Sequence, residues 1–273
     1  MTTVEVFAPA KINLTLHVTR RREDGYHELD SLVAFADVGD VLRLSLAARS
    51  VLSVTGPMAG GVPDSAGNLA MRAAEAFGVP AEIVLEKRLP AAAGLGGGSA
   101  DAAAVLRGLA ELTGRGFAGD PAALGSDVPV CLEGRAARMS GLGEVVAPIK
   151  MPKLDAVVVN PGVPLSTAAV FARLTQVGNR GMGAVPEGLS APEFCGWLRA
   201  QRNDLETPAI SLAPAVRAAL DLLSSLPGQL LSRMSGSGAS CFALFEGPDQ
   251  ALAAAASIAR ARPGWWVRAC RLS

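Results

Sequence analysis

The sequence predicts an α+β fold in two domains, 1–152 and 153–273, on three observations. The chain has 273 residues, half of them apolar and 18% charged, which suits two ordinary domains with sizeable cores and excludes disorder. Five β-like runs crowd the first 55 residues, and strands mixed with helices return later. Between them, Pro148, Pro152 and the pair Lys150 and Lys153 break the pattern just before a new apolar strand.

Val4–Ala8, Ile12–Val18, Leu29–Ala36, Val41–Leu46 and Val51–Thr55 alternate in the strand manner and predict a mainly antiparallel opening sheet. A helix fits Asn68–Phe77, stopped by Gly78 with Pro80 beyond. The strand Ala81–Glu86 then leads into a Gly-rich stretch, Leu89–Gly98. Ser99 is placed to cap a helix whose apolar positions Val105, Leu106, Leu109 and Leu112 recur at helical spacing. A turn at Gly125-Ser-Asp-Val precedes a short strand, Pro129–Leu132. The second domain reads as strand Ala156–Val159, helix Thr167–Leu174, a Gly-rich loop at 178–184, and helices near 191–201 and 212–225. Strands Gln229–Met234 and Ser240–Phe245, a helix at 249–261 and strand Trp265–Cys270 complete it. Hairpin-like strand pairs mixed with helices favour α+β over a doubly wound parallel sheet.

Charge balance argues against two classes of partner, although a local basic patch is compatible with it. The 25 Lys and Arg balance 25 Asp and Glu, so nothing draws the whole chain to nucleic acid or to an anionic membrane. The start, MTTVEVFAPAKINL, lacks the basic and apolar regions of a signal peptide, and Ala251–Ala259 is too short to span a bilayer. Cys131, Cys195, Cys241 and Cys270 are scattered without a C-x-x-C pair, against zinc and disulfides. Buried thiols in a reducing, cytoplasmic setting are the expectation. Rarity is more informative: there are four lysines against 21 arginines, two histidines and one tyrosine. Lys11, Tyr26 and His27 all fall in the first 27 residues.

The chemical signal is strongest at Pro90–Asp101. Glycines at 94, 96, 97 and 98 allow backbone N–H groups to turn toward an anion without Cβ clashes, and the helix that follows adds the positive end of its dipole. Together they make a phosphate cradle of an uncommon kind. No Gly-Lys pair exists for a Walker A loop, and Ser99 stands where G-x-G-x-x-G needs its last glycine. The H-R-D and D-F-G signatures of protein kinases are absent. A second Gly/Ser turn, Arg233-Met-Ser-Gly-Ser-Gly-Ala-Ser240, lies between two strands and is able to face the first loop.

These segments resemble the GHMP kinases, in order and over essentially the whole chain. The resemblance rests on Ala8-Pro-Ala-Lys-Ile-Asn-Leu14, Arg22-Glu-Asp-Gly-Tyr-His27, Pro90-x-x-x-Gly94-Leu-Gly-Gly-Gly-Ser99, Gly125-Ser-Asp-Val-Pro129, Gly141-Leu-Gly-Glu144, Asn203-Asp-Leu-Glu206 and Met234-Ser-Gly-Ser-Gly238. The first two are specific to the branch acting on a cytidine diphosphate-linked methylerythritol, an intermediate of the non-mevalonate route to isoprenoids. The resemblance implies a ribosomal-S5-like α/β domain, a ferredoxin-like α+β domain and an active site in the cleft between them. It implies phosphorylation of the substrate's 2-hydroxyl by ATP with a divalent metal, Mg2+, whose protein ligands are unspecified.

Residue by residue, the resemblance gives Asp127 and Lys11 to the transferring group. Phosphoryl transfer is mainly positioning and charge stabilisation; a carboxylate accepts the hydroxyl proton while an ammonium lowers that hydroxyl's effective pKa. Lysine suits a point charge better than arginine's fork. The ATP loop comprises Pro90, Ala91, Ala92, Ala93, Gly94, Leu95, Gly96, Gly97, Gly98, Ser99 and Ala100, with Gly236, Ser237 and Gly238 in the second loop. Tyr26 offers a face to the cytosine, His27 hydrogen-bonds its edge, Phe171 gives a second wall, and Asn13 bonds the substrate. Ala100 departs from the family's usual second serine, so Asp101 is either a metal ligand or a first-turn charge. Lys87 faces nucleotide or solvent, and His17 is structural. Oligomeric state is left at monomer or weak homodimer.

Two alternatives stay open at this stage. One is another GHMP kinase, of homoserine or mevalonate type. The other is a non-catalytic nucleotide- or RNA-binding module, disfavoured because a binder has no need of a base beside a cation.

Overall fold

Strand β3, His27–Leu46, is the longest strand of the chain, seen here in a computed structural model that describes Thr2–Ser273. It joins two runs that the sequence suggested as separate strands. Gly39 makes the join feasible: a Cβ there would lie 2.2 Å from the carbonyl oxygen of Ala8, so β1 and β3 run in close approach where any side chain would force them apart.

The chain packs as two compact units interleaved in sequence. The first takes the described part of Met1–Lys11, with Val38–Ala91 and Gly96–Gly134. Here β1 (Thr3–Asn13) pairs with β3, and the end of β3 pairs antiparallel with β5 (Ala81–Glu86). Strand β4 (Val51–Thr55) pairs with β5 in parallel, an exception at that edge within the mainly antiparallel expectation. Helix α1 (Leu69–Phe77) ends at Gly78 as predicted, at φ 75°, but Asn68 stands before it as the cap, its side chain accepting from Ala70 N–H at 2.9 Å.

Helix α2, Gly97–Thr113, starts three residues earlier than a Ser99 cap implies and buries Val105, Leu106 and Leu109. Gly96 occupies its cap at φ 64°, so Ser99 sits in the first turn and does not cap it. Pro129–Leu132 is not a strand. It lies in helix α3 (Val128–Glu133), where proline fills a first-turn position whose N–H would have no helical partner.

The second unit takes Ile12–Asp37, Ala92–Leu95 and Arg135–Ser273. The predicted strand Ile12–Val18 is broken there: β2 begins only at His17 and runs to Arg21, while Leu16 bridges to Asn203. Strand β2 pairs antiparallel with the start of β3, setting Arg21 opposite His27. The hairpin β6 (Ala137–Gly141) and β7 (Val145–Pro148) adds to β3 and had no counterpart in the sequence reading. Strand β8 (Leu154–Asn160) lies between β11 (Trp266–Leu272) and β10 (Cys241–Phe245), and β10 pairs onward with β9 (Gln229–Met234), all antiparallel.

Five helices complete this unit. They are α4 (Thr167–Ala172), α5 (Ala191–Arg199), α6 (Glu206–Leu212), α7 (Pro214–Ser224) and α8 (Pro248–Ala261). Its core packs Val157, Val159, Ala243 and Phe245 of the sheet against Val216 and Leu223 of α7 and Ile258 of α8. The loop at 178–184 is tied down by Asp30, which accepts from Met182 N–H at 2.7 Å and from Arg138. No helix among the described residues is long and apolar enough to cross a membrane, and all four cysteines are buried free thiols.

Candidate active site

In the first unit, Lys11 near the end of β1 and Asp127 at the start of α3 meet as an ion pair, Nζ to Oδ2 at 2.9 Å. The lysine side chain is 5% exposed and the aspartate 31%, so the carboxylate is the wetter of the two. The start of α2 rests on the same lysine: a Cβ on Gly96 would come 3.0 Å from the Lys11 side chain. Ser99 also belongs here, its Oγ 3.8 Å from where a Cβ on Gly125 would stand. Gly96 has no side chain to cap the helix, so backbone N–H groups, an ammonium and an accessible carboxylate converge. Such a group can hold an anion and take a proton from an alcohol beside it.

Lys87 settles into neither of its expected places. It is buried, bonding Asp40 and, at 2.9 Å, Asp101. Asp101 is therefore committed to an internal ion pair and is not presented as a metal ligand. Among the described residues no three His, Cys, Asp or Glu side chains gather as a metal site.

In the second unit, Ala92–Leu95 of the Gly-rich stretch meets the β9–β10 turn, as the sequence suggested it would. Ser235 Oγ donates to Gly94 O at 2.9 Å, and Ser240 N–H donates to Ala93 O at 3.1 Å. A Cβ on Gly94 would fall 2.4 Å from Ser235 O, so only glycine fits. Gly236 and Gly238 turn the hairpin at φ 57° and 86°. Asn203 braces it by donating to Met234 O (2.9 Å) and Gly236 O (2.8 Å). Behind it Arg233 donates to the carbonyls of Leu14, Leu198 and Gln201, and burial pushes its pKa down to about 10.

The residues read as base-binding are in this unit too. His27 and Phe171 stack, ring centroids 5.1 Å apart and planes inclined by 28°. Tyr26, next to His27 in the chain, is 64% exposed. Burial, and after it the charge of Arg21, lowers the pKa of His27, favouring the neutral ring. Helix α4 holds Phe171, and its Thr167 hydroxyl lies 2.8 Å from that of Ser237, linking the aromatic wall to the second loop. Asn13 is buried; its Nδ2 donates to Ser31 Oγ at 2.8 Å and its backbone N–H to Ser235 Oγ at 3.0 Å. His17 is structural: Nε2 accepts from Arg202 N–H at 3.3 Å, and Nδ1 lies 3.2 Å from Arg180 O. Thr167, Ser235 and Asn203 went unassigned in the sequence. Asn203 was visible only as part of the Asn203-Asp-Leu-Glu206 motif.

Two family models match the chain, one for the N-terminal domain of GHMP kinases at residues 68–135 and one for their C-terminal domain at 193–263. They lie on either side of residues 152 and 153. A 4-diphosphocytidyl-2-C-methyl-D-erythritol kinase of Dinoroseobacter shibae is 55% identical, aligned over 96% of this chain and 92% of its own. Another bearing that name, from Cereibacter sphaeroides, is 52% identical over 98% and 99%. The chain belongs to this kinase family.

A crystal structure of a 4-(cytidine 5'-diphospho)-2C-methyl-D-erythritol kinase superposes with TM-score 0.80 at 38% identity, covering 99% of both chains. The homoserine kinase of Cytophaga hutchinsonii, at 20% identity and TM-score 0.68, shares the fold. The expected α+β GHMP kinase architecture is thus borne out. As a member of the family the protein is an ATP-dependent small-molecule kinase, with ATP the phosphate donor.

Proposed function

We propose that this kinase transfers the γ-phosphoryl group of ATP to the 2-hydroxyl of 4-diphosphocytidyl-2-C-methyl-D-erythritol, a cytoplasmic step of the non-mevalonate route to isoprenoid precursors. The observation that carries the chemical part is the 2.9 Å contact of Lys11 with Asp127 beside the uncapped start of α2. Asp127 accepts the proton of the attacking hydroxyl as the new O–P bond forms and the bond from the γ-phosphorus to the β-phosphate oxygen breaks, releasing ADP. Lys11 stabilises negative charge on the reacting oxygens, and it holds the carboxylate in one orientation. The loose transition state asks little more than this positioning.

The residues present suit a triphosphate. Gly94 and Gly96, at φ 72° and 64°, bring backbone close to their neighbours where a side chain would collide, and α2 supplies N–H donors and its dipole. A magnesium ion would arrive on the nucleotide, drawing most of its oxygens from phosphate and water, with Ser99 and Asp127 the protein oxygens on that side. When bound, it neutralises charge on the phosphates. Cytosine recognition is assigned to neutral His27, which both donates and accepts a hydrogen bond, with Tyr26 and Phe171 as aromatic faces. Asn13, whose amide is engaged with Ser31, shapes the wall beside Gly236.

A coupled ADP-release assay across alcohols tests the substrate. Turnover is expected with the cytidine diphosphate compound, its new phosphate located at the 2-position by phosphorus NMR. Turnover with homoserine or mevalonate alone would defeat the proposal.

A further inference from the structure

Lys87 stands just beyond β5 and bonds two carboxylates at once, Asp40 of β3 and Asp101 of α2. Each carboxylate has a second attachment. Asp40, fully buried, accepts the backbone N–H groups of Arg88 at 2.6 Å and Leu89 at 2.9 Å, the residues that lead into the Gly-rich loop at Pro90. Asp101 lies one turn into α2, the helix that receives the other end of that loop. The lysine sits directly behind the helix start, since a Cβ on Gly97 would be 3.5 Å from its Nζ and 3.8 Å from Asp40 Oδ2.

Its own backbone is pinned as well. Lys87 N–H donates to Thr55 O at 2.7 Å, and its carbonyl accepts from Met58 N–H at 3.0 Å. Gly56 packs against the same peptide so tightly that a Cβ would lie 2.5 Å from Lys87 O.

Three buried charges are an expensive way to stabilise a fold. Desolvation cancels much of their attraction, and apolar residues of like volume often do as well. The expense is plain at Asp101, whose Oδ1 is buried with no hydrogen-bond partner and whose carboxyl is pushed up in pKa by burial. What an apolar cluster does not provide is a directional link between the two limbs of the loop.

We propose that Lys87 is a positioning residue for the nucleotide: through Asp40 it holds the entering limb of the phosphate loop, and through Asp101 the first turn of α2, at the separation the triphosphate requires. This rests on the reading of that loop as the ATP site. Lys87 lies behind the glycines and acts through the backbone they carry.

The test compares Asp101→Leu, which detaches the helix while leaving the Lys87–Asp40 pair, with Asp101→Asn, which keeps an acceptor for the ammonium. Calorimetric titration with ATP and steady-state KM values are read beside a thermal melt. Asp101→Leu should weaken ATP binding and raise its KM by about tenfold, with the KM of the alcohol substrate within about twofold; Asp101→Asn should recover most of the loss. Lys87→Met, where it folds, should repeat the ATP-selective loss. Unchanged ATP affinity in folded Asp101→Leu overturns the inference. So does a lowered melting temperature with both KM values moving together, the mark of a merely structural cluster. Failure of the wild-type kinase to bind ATP would instead remove the loop assignment, and the inference with it.

Discussion

The imidazole of His27 and the ring of Phe171 lie stacked with centroids 5.1 Å apart, although one residue opens β3 and the other rides on α4. A hydrogen-bonding edge and an apolar face are thereby offered at one place, as a nucleobase requires. Tyr26, next to His27 in the chain, is largely exposed.

Removing either face should weaken the cytidine substrate selectively. Stacking on an aromatic ring is worth roughly 1–3 kcal/mol, so Phe171→Ala and Tyr26→Ala should raise its KM roughly 5- to 150-fold. The KM of ATP should hold steady. A change confined to ATP would mean that the pocket has been assigned backwards.

The histidine carries a pH signature. Burial first, and the Arg21 charge second, lower its pKa from the ordinary 6.5, so the ring is neutral at pH 7 and gains its proton only in more acidic solution. The KM of the cytidine substrate should be level above that value and climb below it, as the acceptor nitrogen is lost. Arg21→Gln relieves one cause of the lowering and should shift the climb toward higher pH. Initial rates at saturating ATP from about pH 5.5 to about pH 8 check both statements. A profile indifferent to Arg21→Gln would refute the electrostatic part.

The phosphate loop contains one strained position and one filled correctly. Ala92 is held at φ 49°, where a side chain costs roughly 1–2 kcal/mol, whereas Gly94 at φ 72° has no room for a Cβ beside Ser235 O. Glycine gives back part of such a gain through the unfolded chain, so Ala92→Gly should stabilise the protein by about 0.5–1 kcal/mol. Gly94→Ala should cost about 2 kcal/mol or more and weaken ATP binding. Urea midpoints measure the pair, and equal effects in one direction would contradict the strain argument.

Where local chemistry decided a segment, the sequence was readable. Gly78 stops α1 as a left-handed glycine should, with the start off by one residue because Asn68 caps the helix, and the alternation in Ala81–Glu86 matches β5 residue for residue. Short elements misled it. Val128-Pro129-Val130 has strand composition, and α3 is too brief for a helical period to show. Helix α6, with Pro208 in its first turn, was hidden for the same reason. In the site, motifs led to Lys11, Asp127 and His27, and the family resemblance alone to Phe171; Lys11 meets Asp127 and His27 meets Phe171. Lys87 was undecidable because its partner Asp40 lies far back in the sequence, and only the pairing of β3 with β5 brings the two together. Asp101 was ambiguous on the same ground: nothing near it in sequence shows that it faces inward to a lysine.

The contact of Lys11 with Asp127 leads to the most direct measurement, the single-turnover rate of Asp127→Asn alongside its calorimetric affinity for ATP. The amide keeps the size of the carboxylate and cannot take the hydroxyl proton. The rate should fall by about 100- to 10,000-fold, as the loss of a general base does, while ATP affinity stays within about twofold. A variant that binds ATP normally and still phosphorylates the cytidine diphosphate substrate at near the wild-type rate would show that Asp127 is not the base.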